Sequence, residues 1–151
     1  MNSLSIAVAN SILKRFFDDG KAITPLKLQK LLYFVYKKYL YDTRTSLLTE
    51  HLEAWPRGPV SPVVYQAFKH YGSSPIDDYA KINNKINMIN SDYIPFWSAV
   101  EYVYHNYGDL DAITLVNITH EQDTAWDKAY NGKDGRNLYI SDEDVLAERW
   151  H

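Results

Sequence analysis

Apolar positions recur at helical spacing along most of this chain. From about Ser3 to Asp19 they fall at Ile6, Ala9, Leu13, Phe16 and Phe17, and Gly20 follows as a fitting C′ residue. A second helix announces its own start. Thr24 is placed as N-cap, Pro25 takes the first helical position, where a missing N–H costs nothing, and Ile23 is set to staple onto Leu28. Its apolar stripe runs through Leu28, Leu31, Leu32, Val35 and Tyr39, which leaves Lys27, Lys30, Lys37 and Lys38 for other faces. In "LLTEHLEAW" the period changes: Leu52 and Ala54 alternate with Glu53 and Trp55, a short extended segment. Together with the turn that follows, this predicts one short β-hairpin near residues 47–60.

The stretch "EAWPRGPVSPVVYQAFKHYG" is dense in backbone instructions. Trp55-Pro56-Arg57-Gly58 has the proline and glycine positions of a type I turn, and Pro59 keeps Gly58 out of the α region. Val60, Ser61 and Pro62 then read as N′, N-cap and N1 of a third helix, with Tyr65 placed to receive a staple from Val60. Val64, Phe68 and Tyr71 form its expected buried stripe and Gly72 closes it. Residues 76–92, rich in asparagine, fit neither period. A helix over about 93–107 follows, carried by Phe96, Val100, Val103 and Tyr107 and ended by Gly108. Shorter helices are expected around 110–117 and 124–130, then a loop at "NGKDG". A last helix is capped by Ser141, with Asp144 completing a capping box and Ile140 set to staple Val145.

The predicted elements describe a mainly α protein, a single compact helical domain over residues 1–151. Its 46% apolar and 23% charged residues allow a real core. With no cysteine, disulfides, thiolate zinc sites and cysteine nucleophiles are excluded, and a cytoplasmic location fits. The N-terminal apolar run lacks a basic segment before it, and no run approaches the roughly 20 residues that cross a bilayer, so no membrane partner is expected. The net charge of −3 disfavours a general nucleic-acid binder. The charge is divided unevenly: ten Lys/Arg against five Asp/Glu in residues 1–75, and six against fourteen in residues 76–151. Such asymmetry can steer a charged protein partner, and thirteen tyrosines suit cores and interfaces alike.

Catalytic chemistry is not visible. His120-Glu121 opens like a zincin motif, but position 124, where the second histidine belongs, is Thr124. There is no phosphate loop and no nucleophile elbow, so neither cofactor nor metal is expected. A small metal hydrolase using His70, His120 and Glu121, or an operator-binding regulator, remain the alternatives from other classes.

Three blocks in order carry a resemblance: "ITPLKLQKLLYFVYKKYL", "EAWPRGPVSPVVYQAFKHYG", and "ITHEQDTAW" with a late "YISDED". Over about residues 5–148 the chain resembles the Panacea antitoxin domain family, the SocA-like and GepA-like proteins of bacteria and their phages. The resemblance implies a small, largely helical antitoxin, not an enzyme, that neutralises a cognate protein toxin by direct contact. Its toxin is expected from the adjacent gene; delivery of that toxin to a protease is an alternative, and homo-oligomerisation stays open. Candidate partner-binding residues are Trp55, Arg57, Lys27, Lys30, Tyr33 and His120. Leu28, Leu31, Gly58, Pro59, Val60, Ser61 and Trp126 are expected to hold the structure.

Overall fold

In the computed structural model, residues 3–131, 138–148 and 150 are described. Helix α1 spans Ser3–Asp18 and closes on a glycine turn. Gly20 adopts φ +66°, and the amides of Gly20 and Lys21 return to the carbonyls of Phe17 and Phe16. Helix α2, Pro25–Thr43, starts where expected, with Thr24 Oγ1 accepting from the Lys27 amide at 3.3 Å. Strands β1 (Glu53–Trp55) and β2 (Gly58–Val60) pair antiparallel with Trp55 opposite Gly58, which places the expected hairpin at 53–60. Helix α3 spans Pro62–Phe68 and runs into a 3₁₀ turn at Lys69–Tyr71 that ends at Gly72. Tyr71, expected in the buried stripe, is only half-buried in that turn.

Helix α4 covers Ile94–Tyr107 and α5 covers Ala112–Thr119. The latter begins two residues later than the apolar pattern suggests, because Asp111 caps it by accepting from the Thr114 amide at 2.8 Å. Helix α6 is Ala125–Asn131, with Thr124 Oγ1 accepting from the Asp127 amide. Helix α7 is Asp142–Ala147, capped by Ser141 as predicted, with Ile140 and Val145 both buried. The loop expected at 131–135 lies largely outside the described residues.

Residues 76–92 form no long element. Their one regular feature is a tight turn: Ile82 and Lys85 exchange backbone hydrogen bonds around Asn83 and Asn84, both at positive φ. The rest is held from a distance. The buried Asn10 side chain on α1 bonds both the N–H and the C=O of Ala80, each at 2.9 Å, and Ser11 Oγ accepts from the Ile89 amide.

Helix α2 is the hub, with α1, α3, α4, α5, α7 and β2 all packed against it. Surrounded in this way, it has little free face, and the expectation that Lys30 and Lys37 lie off the interior fails. Their side chains are buried, at 0% and 2% exposure. The stems pack as apolar chain and the ammonium groups find oxygens: Lys30 Nζ donates to the Pro59 carbonyl at 2.6 Å, and Lys37 Nζ lies 3.4 Å from Glu148 Oε1. Lys27 and Lys38 are half-buried nearer the rim. The core is one contiguous cluster in which Phe34 and Tyr107 stack at 4.3 Å and Phe16 meets Tyr104 edge-on.

Candidate functional site

The hairpin turn has only two residues, Pro56 and Arg57, between its paired ends. Short hairpins favour turns with positive φ at the first central residue, but the ring of Pro56 fixes its φ near −65°. The correction falls on Gly58, whose φ is +114°. This glycine also sits against the body of the protein: a Cβ there would lie 2.8 Å from Thr119 Oγ1 and 2.9 Å from Lys30 Nζ. Only glycine satisfies both the torsion and the space.

Each backbone edge of the hairpin is occupied. On the β1 side, the Ala54 amide donates to Leu138 O and the Ile140 amide to Leu52 O. Beyond β2, Lys30 takes the Pro59 carbonyl. The Gln29 amide group then grips Ser61 twice, accepting its N–H at 2.9 Å and donating to its C=O at 3.0 Å. Ser61 Oγ caps α3 by accepting from the Val64 amide and donates to Glu50 at 3.1 Å. Glu50 is reached as well by Ser5 of α1. Behind the turn, Trp126 Nε1 donates to the Trp55 carbonyl at 2.6 Å, and its ring is stacked between His120 (3.8 Å) and Tyr130 (4.8 Å). The hairpin is thereby fixed on three sides to α2, α3 and α6.

The fourth side is open. Trp55 is half-buried, its indole N–H held by Glu53 at 2.9 Å, and Tyr65 stands edge-on to it at 5.0 Å. Tyr65, expected to receive a staple from Val60, is 41% exposed and lines the same groove as Val60. Between α2, the turn and α3 lies a groove of about 430 Å³. Leu28, Val64 and Phe68 contribute its buried apolar lining, while Trp55, Pro56, Tyr65, Arg57 and Lys69 reach solvent. The lining carries two cations and no carboxylate.

The residues singled out in the sequence divide into two groups. Trp55 and Arg57 lie on this groove, and Leu28 and Val60 line it. Lys27 sits away from it, bonded to the Gly108 carbonyl at 2.7 Å. Lys30, Tyr33 and Leu31 are fully buried, Gly58, Pro59 and Ser61 are buried in the hairpin and cap, and Trp126 is buried behind them. Burial holds the Lys30 ammonium down to a pKa of about 7. Burial likewise lowers the His120 pKa, with the Lys30 charge adding to it, and leaves His120 Nε2 without a partner among the described residues. Tyr33 donates to Glu148, which accepts as well from the Ala125 amide at 3.2 Å; burial, then that carboxylate, drive the phenol well above its usual range. Sequence reasoning missed Gln29, Glu50, Tyr65, Lys69 and Glu148. Among the described residues no three of His, Asp and Glu converge as metal ligands would.

The family described as "Antitoxin SocA-like, Panacea domain" matches residues 28–127. That span takes in nearly all of α2, the hairpin, α3 to α5 and the stacked pair His120 and Trp126. The chain is also 34% identical to Antitoxin SocA of Caulobacter vibrioides (strain NA1000 / CB15N) over 152 aligned residues, which cover 95% of this chain and 80% of that protein. No solved structure matches it.

Proposed function

The chain belongs to the SocA-like Panacea antitoxin family, and on that premise we propose that it neutralises a cognate protein toxin by binding it directly. The observation that carries this reading is similarity to an antitoxin along almost the whole chain, hairpin and hub helix included. The geometry supports a binding role for one surface in particular. The hairpin is anchored through backbone and buried side chains on three sides, while Trp55, Arg57 and Tyr65 are displayed on the fourth. An anchored backbone that displays aromatic and arginine side chains is what protein interfaces favour, because little backbone entropy is lost on docking. Among the described residues, no helix is long and apolar enough to cross a membrane. The partner on this reading is a protein encoded beside this gene.

Co-expression tests the proposal. The product of the neighbouring gene, induced alone, should stop growth, and this chain should restore it. A neighbour that is harmless alone, or whose toxicity this chain leaves intact, contradicts the assignment.

A further inference from the structure

We propose that the groove between Trp55 and Tyr65 receives a short amphipathic segment of the toxin, an apolar anchor side chain flanked by carboxylates. This rests on the neutralisation reading above and names the chemistry that the surface selects.

An extended peptide could add to a sheet only where N–H and C=O groups are free. On the outer side of β1 the Ala54 amide is paired with Leu138, and just before the strand the Leu52 carbonyl is paired with Ile140; beyond β2 the Pro59 carbonyl and the Ser61 backbone are held by Lys30 and Gln29. A strand added at either edge would have to displace these partners, so recognition falls to side chains entering the groove. About 430 Å³ lies at the small end of the ~300–1,000 Å³ range of ligand pockets, and apolar Leu28, Val64 and Phe68 line it. That suits one or two large apolar side chains projecting from a helix or turn, not the broad face of a domain.

Five of the ten basic side chains in residues 1–75 are engaged with acids: Lys14 with Asp18, Arg15 with Asp19 and Glu101, Lys21 with Asp109, Lys37 with Glu148, Lys38 with Asp42. Lys27 and Lys30 hold carbonyls, and Arg44 lies over Tyr41. Among the described residues, the Arg57 and Lys69 side chains alone in that half have neither ion pair, hydrogen bond nor ring contact, and both line the groove. Two unengaged cations on an apolar groove, in a chain of net charge −3, fit a carboxylate-bearing occupant. A symmetric pairing of two copies through this face would set those cations against their own duplicates, which disfavours a homodimer there.

The test uses the purified complex with the neighbouring gene's product. A photoreactive benzoylphenylalanine in place of Tyr65 should crosslink to one toxin peptide with a large apolar residue within about one helical turn of Asp or Glu. The double variant Arg57→Glu, Lys69→Glu should melt like the wild type, since both residues are exposed, yet bind the toxin at least about tenfold more weakly. Capture of a second copy of this chain, capture of a peptide without a nearby acid, or a smaller loss of affinity overturns the groove assignment and leaves neutralisation standing. Failure of the wild type to form any complex removes the neutralisation reading itself, and this inference with it.

Discussion

At the scale of single residues, the account turns on polar side chains that face inward. Gln29 and Asn10 each use one amide to satisfy both backbone groups of a distant residue, Ser61 and Ala80 respectively. The reading of periodicity treats polar positions as solvent-facing, so neither clamp was legible; Lys30 and Lys37 were misplaced for the same reason. Gly58 was legible, because a turn next to a proline demanded it. Gly58→Ala forces a left-handed torsion on a side chain and drives its Cβ against Thr119 and Lys30, and should cost at least about 1–3 kcal/mol in urea unfolding. A variant as stable as the wild type would refute that geometry. Lys30 supplies a prediction in pH. Its folded pKa of about 7 is below the ordinary 10.5, so between these values the unfolded chain holds a proton that the folded one lacks, and stability rises with pH. Below pH 7 both states are charged and the burial penalty is fully present. Lys30→Met should therefore flatten the gain in unfolding free energy between pH 7 and pH 9.5 by up to a few kcal/mol, at about 1.4 kcal/mol per unit of pKa. Lys37, also lowered by burial, leaves a residual slope in the variant. Equal slopes in the two proteins would contradict a buried, depressed Lys30.

At the scale of elements, what could be read was what is written within four residues. Thr24, Ser61 and Ser141 each cap the helix that the sequence assigned them, through the amides of Lys27, Val64 and Asp144. The start of α5 slipped because Leu110 continues the apolar pattern one residue before the true cap, Asp111. Residues 76–92 could not be assigned because their order comes from Asn10 and Ser11, some seventy residues away in sequence. The groove was half legible: Trp55 and Arg57 stood out as side chains that the turn does not explain. Tyr65 and Lys69 complete it only once α3 lies against the hairpin. Ser61 joins the two elements, since one hydroxyl caps α3 and bonds Glu50. Ser61→Ala should lower stability by about 0.5–2 kcal/mol, read as a shift in the urea midpoint. No shift would mean that the cap is not formed in solution.

At the scale of the whole molecule, the basic and acidic halves are folded into each other. Arg15 with Glu101, Lys21 with Asp109 and Lys37 with Glu148 all join residues 1–75 to residues 76–151, so much of the asymmetry seen in the sequence is neutralised internally. Around α2 the same economy applies: one helix organises the core, grips the hairpin through Gln29 and Lys30, and holds the C-terminal segment through Tyr33 and Lys37. Among the described residues, this arrangement leaves an aromatic groove with two cations facing outward, most of it on the span shared with the antitoxin family. On the proposed reading, this chain neutralises its toxin by direct binding. Titration calorimetry of this chain against the separately purified toxin, with no other protein present, tests it most directly. A saturable complex of fixed stoichiometry, with a dissociation constant at or below about 1 µM, is predicted. Growth rescue in cells with no heat and no complex between the purified proteins would contradict it.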